Sequence, residues 1–287
     1  MCGQFGVKRQ RDWPAAAILA QANGASPGPT FWICAQPVHL TVNRDELILL
    51  PPAQLHLRDT QSRSLFASIE AHCADHGLQM RYIEADMWCI GSPRVHDLST
   101  SEIQCVEGRS VGTALPNGGD APWWQRLIVE LQMVLHEHPV NVTRESNGEV
   151  PVNSVWIWGG GLMPQIQSSF DTMCVADPLL RALASLSRAR APDTPCNIGN
   201  ILDGNAGLIE FANASGTDID QRLLRLETEW MAPAWEALRA GALEEMYMVF
   251  TLHGGLVTCR CDRRARRRFW KRGAALRRQL AQWQPGN

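Results

Sequence analysis

Four stretches of this chain combine residue types and spacing that could do chemistry. The run Trp156-Ile157-Trp158-Gly159-Gly160-Gly161 ends a short apolar segment in backbone that can take almost any shape, as ligand loops do after a strand. It is no dinucleotide fingerprint, because Pro164 stands where the last glycine of G-x-G-x-x-G belongs, and no Gly-Lys-Ser/Thr follows to make a phosphate loop. A ligand loop and a structural turn both stay open. Trp156 and Trp158 share one face of an extended segment and serve either as an aromatic platform or as core.

His136-Glu137-His138 offers two imidazoles, but on a helix they point about 160° apart and cannot chelate one ion. Cys259-x-Cys261 with His253 nearby is half a zinc site. Ten of the 27 basic residues fall between Arg260 and Arg278, enough to attract phosphate or nucleic acid locally through Arg263, Arg264, Arg267 and Arg278. Phe269, Leu276 and Leu280 recur there at helical spacing, so the same arginines also fit the wet side of an amphipathic helix.

The elements that must position these residues are legible in outline. Phe31 to Leu50 reads as two strands turning at Asn43-Arg44-Asp45, and Arg81 to Ile90 as a second hairpin turning at Ala85-Asp86. Between them, Asp59-Thr60 is expected to cap a helix that Gly77 stops. Gly91 to Pro122 lacks periodicity and reads as a long loop. Helices are expected over 123–137 and 177–188, a further one after Thr217 with a break at Pro233, and a last one over 262–283; Met246 to Cys261 reads as a hairpin. Strands and helices interleave, which predicts an α/β or α+β fold with an N-terminal region over 1–122 and a core region over 123–287.

Composition narrows the partners. With 45% hydrophobic and 20% charged residues and a net charge of −2, the chain reads as globular, and any charge-driven partner must use a local patch. Nine scattered cysteines suit free thiols and a cytoplasmic location better than a disulfide framework. The segment before Ala22 mimics an export signal only faintly, interrupted by Asp12, Trp13 and Pro14, and nothing suggests a membrane span.

"FWICAQPVHLTVNRDELILL", "LHEHPVNVTRESNGEVPVNSVWIWGGGLMP" and "CVADPLLRALASL" together resemble a group of bacterial proteins described as regulatory and similar to archaeal-type cofactor-independent phosphoglycerate mutases. The resemblance implies an incomplete alkaline-phosphatase-like α/β core with an inserted small α+β lobe. It also implies that Gly159, Gly160 and Gly161 lie near the ancestral active site, where His39, Arg144 and Trp158 join them as candidates for binding a small phosphorylated ligand. The enzymes hold two metals with an early Asp, a Ser or Thr nucleophile and later Asp-His ligands, none of which this chain matches, and Gln36 stands where the bacterial pattern has Asp. The expectation is therefore a non-catalytic binding or regulatory protein without cofactor. The rival reading, an active mutase or phosphatase using manganese or zinc, needs a site assembled from residues such as Asp177, Asp203, Asp218, Asp220 and His253.

Overall fold

The computed structural model describes residues 2–26, 28–43, 46–106, 110–112, 114–192, 196–211, 219–252 and 255–262. The chain divides into two compact units, one made of 1–169 and 175–191 and the other of 170–174 and 192–287. The boundary read at 122/123 lies inside the first.

The first unit is built on β1 (Phe31–Asn43), whose length lets it pair with three strands. β2 (Glu46–Leu50) returns along its second half, β4 (Met87–Ser92) pairs with Phe31 to Ala35, and β5 (Ser154–Gly161) lines its other edge. β3 (Gln79–Glu84) extends the sheet beyond β4 through the hairpin at Ala85-Asp86. Every pair in this sheet is antiparallel.

Period-2 alternation gives the sheet two buried faces. Phe31, Ile33, Ala35, Trp88, Ile90, Val155 and Ile157 point into a core shared with α3 (Asp59–Asp75) and α5 (Ala121–His136). α5 contributes Trp124, Leu127, Leu131 and Leu135, spaced three and four residues apart so that they form one stripe. On the other face lie α1 (Ala15–Ala22) and α7 (Pro178–Ser187). α1 is buried from Ala15 through Ala20, as an alanine-rich helix pressed on a sheet must be.

Short helices complete this unit: α2 (Pro52–Leu55), α4 (Ile103–Val106), which interrupts the long irregular stretch, and α6 (Pro139–Ser146). α3 begins at Asp59 itself, so its cap falls one residue before the expected Asp59-Thr60 pair. Its N-cap is Arg58, whose N–H donates to Gln61 Oε1 at 3.3 Å. α7 is capped by Asp177, whose Oδ1 accepts from Leu180 N at 3.0 Å.

The second unit pairs β6 (Thr172–Cys174) in parallel with β7 (Gly207–Ile209) and carries α8 (Ile198–Leu202) beside them. Then α9 (Ile219–Arg225) passes through a π-helical turn (Leu226–Met231) into α10 (Ala232–Ala240). Pro233, the expected break, sits in the first turn of α10, and because helix precedes it the missing N–H and the ring disturb the ladder before it, where the π-helical turn lies. β8 (Glu245–Leu252) and β9 (Gly255–Asp262) form the expected hairpin.

The free-thiol reading needs one correction. Cys174 and Cys196 form a disulfide, while among the described residues Cys2, Cys34, Cys73, Cys89, Cys105, Cys259 and Cys261 are free. No helix among the described residues is long and apolar enough to cross a membrane. Arg44, Asp45, Asp218, His253, Arg263, Arg264, Arg267, Arg278 and the rest of 263–283 lie outside the described residues, and Asp262, where the last helix is expected to begin, ends β9.

Candidate functional site

The glycine run is part of a strand, not a loop beyond one. All of Ser154 to Gly161 is buried in β5. Trp158 faces Cys34 and Gly161 faces Trp32, so three steps along β5 oppose two along β1 and β5 carries one extra residue, a β-bulge. Gly159 takes that strain with φ +68°, a left-handed value that favours glycine.

Close packing explains the other two glycines. A Cβ on Gly161 would lie 2.6 Å from Pro14 Cβ, and one on Gly160 would lie 2.8 Å from Phe31 Cζ. A Cβ on Gly159 would approach Ala15 Cβ to 3.1 Å. The space a ligand loop would leave open is therefore filled by Pro14 and Ala15 at the start of α1 and by Phe31.

Asp12, just before that helix, is buried and locks the arrangement. It accepts from Thr100 N at 2.9 Å and from Ser99 Oγ at 3.3 Å, and Thr100 Oγ1 donates to the same carboxylate while accepting from Gly159 N at 3.2 Å. In the sequence Asp12 reads only as a break in an apolar segment; its pairing with residues far along the chain gives it no local signature.

The two tryptophans are core with satisfied indoles. Trp156 Nε1 donates to Ser101 O at 2.9 Å and Trp158 Nε1 to Gln36 Oε1 at 2.6 Å. Gln36 in turn donates from Nε2 to Asp86 O at 3.2 Å. An aspartate at this position could accept from Trp158 but could not reach Asp86 O as a donor, so the amide ties β5 across β1 to the β3–β4 turn.

His39 and Arg144 both bond the stretch that leads into the other end of β5. His39 Nδ1 lies 2.9 Å from Pro151 O, and Arg144 Nε donates to Val150 O at 2.9 Å. Val38 faces Ser154, whereas the bulge lies toward Gly161, so the two groups are separated by about seven strand residues, roughly 23 Å at 3.3 Å each. The glycines, expected to open towards a cleft shared with His39 or Arg144, thus stand toward the opposite end of β5 from both.

Nor is Arg144 a free anion fork. It is 1% exposed, and its remaining arms donate to Gln61 Oε1 at 2.9 Å and Leu55 O at 2.6 Å, with Glu149 Oε2 at 3.3 Å from Nη1. Its planar set of donors joins α6 to α2 and α3, a structural tie instead of a recognition group.

His138 of the His136-Glu137-His138 run is the N-cap of α6. Its Nδ1 accepts from Val140 N at 3.2 Å and its Nε2 lies 3.1 Å from Ser68 Oγ. Asp177 belongs to the first unit and Asp203 and Asp220 to the second.

A recess of about 280 Å³ is lined by Pro52, His56, Leu57, Glu84 and Asp86. Glu84, pushed up by burial, pairs with Arg181 at 2.8 Å, and the two carboxylates make a poor seat for a phosphate.

One cluster of metal-ligating types escaped the sequence reading. His72 and His76, four residues apart at the end of α3, both face Glu130 on α5. His72 Nε2 and His76 Nε2 lie 3.2 and 3.0 Å from the same oxygen, Glu130 Oε2. The legible signal was His-x3-His, which places two imidazoles on one helix face; the carboxylate, far along the sequence, was not legible.

No protein-family model matches the chain. Segments of it are similar to 2,3-bisphosphoglycerate-independent phosphoglycerate mutases. Identity is 38% over 70 residues to that of Methanosarcina mazei, covering 23% of this chain and 18% of the relative. It is 30% over 146 residues to that of Methanothrix thermoacetophila, covering 49% and 36%, and 25% over 150 residues to a probable one of Geobacter sulfurreducens, covering 51% and 37%. The chain thus spans between 18% and 37% of the length of these curated relatives. A solved cofactor-independent phosphoglycerate mutase from Thermoplasma acidophilum superposes with TM-score 0.42 at 19% identity over 75% of this chain and 66% of that one.

Proposed function

We propose that this chain, distantly homologous to archaeal-type cofactor-independent phosphoglycerate mutases, is a non-catalytic relative that acts by binding, in a regulatory role. The observation that supports the reading is the filled glycine bulge. The segment the resemblance sets near an ancestral active site is closed by Pro14, Ala15 and Phe31, and its neighbouring carboxylate, Asp12, is engaged by Ser99 and Thr100. Reopening it requires moving α1 off the sheet. A small phosphate ester is the first ligand class to test, with half-buried His39 as its contact.

The direct experiment is a coupled assay for interconversion of 3-phosphoglycerate and 2-phosphoglycerate on metal-reconstituted protein, with 3-phosphoglycerate binding followed by calorimetry. The expected result is no turnover with manganese or zinc. Turnover that a chelator abolishes overturns the non-catalytic reading in favour of an active mutase.

A further inference from the structure

We propose that His72, His76 and Glu130 form a binding site for one divalent cation of the zinc class, clasping the end of α3 to α5. The argument begins with donor chemistry. Two imidazoles and one carboxylate suit zinc and its neighbours, and three protein ligands leave a fourth position for water.

Geometry carries it further. A tetrahedral ion held at about 2.0–2.1 Å from each ligand sets neighbouring donor atoms about 3.3 Å apart. The two imidazole nitrogens lie 3.2 and 3.0 Å from Glu130 Oε2, and all three ligand atoms fall within 4.8 Å of one another. Both imidazole-to-carboxylate spacings are thus within a few tenths of an ångström of what a coordination sphere needs. The two rings are already splayed around a common point, with centroids 5.1 Å apart and planes inclined by 53°.

The carboxylate is held for the task. Arg126 Nε donates to the other oxygen, Glu130 Oε1, at 3.2 Å, so Oε2 is the atom turned to the imidazoles. Such outer partners fix a ligand's orientation before the ion arrives. The three side chains are 26–33% exposed, open enough for an ion to enter and covered enough to limit competition from water. Without an ion, both imidazole nitrogens crowd one oxygen; with one, that oxygen and both nitrogens become ligands.

The test is calorimetric titration of Zn²⁺ into the whole chain with its Cys174–Cys196 disulfide intact, beside His76→Gln and Glu130→Gln. We expect one equivalent in the parent. Losing an outer partner typically weakens a metal 10–100-fold, so losing a ligand should weaken this equivalent by about tenfold or more. Should His76→Gln fail to fold, His72→Gln removes a ligand one turn earlier.

Co²⁺ distinguishes this site from the thiols of Cys105, Cys259 and Cys261. The nitrogen and oxygen set gives no thiolate-to-cobalt charge-transfer band, and zinc should raise the melting temperature of the parent but not of the variants. A thiolate band on the tight equivalent, undiminished binding in the folded variants, or no zinc bound by the parent overturns the proposal.

Discussion

Arg144 carries its charge where almost no water reaches it, and the fold answers with acceptors drawn from three places: Val150 O, Gln61 Oε1 and Leu55 O. Replacing it with Met leaves those acceptors buried without donors, and we expect a loss of about 3–5 kcal/mol in urea unfolding. Arg144→Lys should recover little, since one ammonium cannot serve three directions. His96 gives a pH-dependent counterpart. It is buried against Phe31, Trp123 and Trp124, its Nε2 lies 2.8 Å from Ser92 Oγ, and Asp120 Oδ2 is 3.7 Å from its Nδ1. Burial first, then Arg94, push its pKa below the ordinary 6.5, against the opposing pull of Asp120. Burial pushes His138 the same way. The unfolded chain then takes up these protons more readily than the folded one. Their contribution is full above about pH 6.5 and is lost as pH falls from there through the lowered folded values. Unfolding free energy should therefore decline on acidification below pH 6.5, and His96→Gln should flatten part of that slope. Neither residue announced its role in the sequence. Arg144 reads there as an anion fork because its partners lie 83 and 89 residues away, and a lone histidine carries no mark of the aromatic box around it.

At the scale of elements, what is local was legible and what depends on a distant neighbour was not. The pairing of β1 with β2, the turn at Ala85-Asp86, the α3 periodicity and the α5 stripe all follow from residues within a few positions of one another, and each of these elements formed close to its expected limits. The bulge in β5 did not show itself, because three glycines in a row are equally suited to a loop. The start of α1, far earlier in the chain, and Phe31 on β1 decide the matter by occupying the space their missing side chains leave. That origin predicts a graded response. Gly161→Ala sets a methyl 2.6 Å from Pro14 Cβ and should cost about 1–3 kcal/mol through overpacking. Gly159→Ala adds a left-handed backbone, about 1–2 kcal/mol, to a milder contact at 3.1 Å from Ala15. Pairing Gly161→Ala with Pro14→Gly, which removes the Cβ it strikes, should recover part of the loss, and a double-mutant cycle by chemical unfolding measures the coupling. Strict additivity would mean that α1 does not hold the bulge in place.

At the scale of the whole molecule, the two units have unequal means of support. The first has an extensive apolar core between its sheet and α3 and α5. In the second, the described buried cluster is Cys174, Ile201 and Trp230, with Cys196, Ile209, Leu226 and Met231 packed on it. Small cores are usually reinforced by other means, and here the disulfide lies inside the cluster itself. The even scatter of nine cysteines hid this, since pairing depends on proximity that spacing does not encode. Cys174 and Cys196 are 22 positions apart, and closing a loop of that size in the unfolded chain is worth about 3 kcal/mol. Reduction should therefore loosen the second unit selectively. Hydrogen exchange on the full chain, with and without reductant, reads this by segment. Peptides covering β7 and α10 should exchange faster once the bond is reduced, while those covering β1, β4 and β5 keep their protection. Cys196→Ser should reproduce the effect without reductant, which separates loss of this bond from chemistry at the free thiols. If β7 and α10 kept full protection in both cases, the apolar cluster alone would hold the second unit and the disulfide would be an accessory to it.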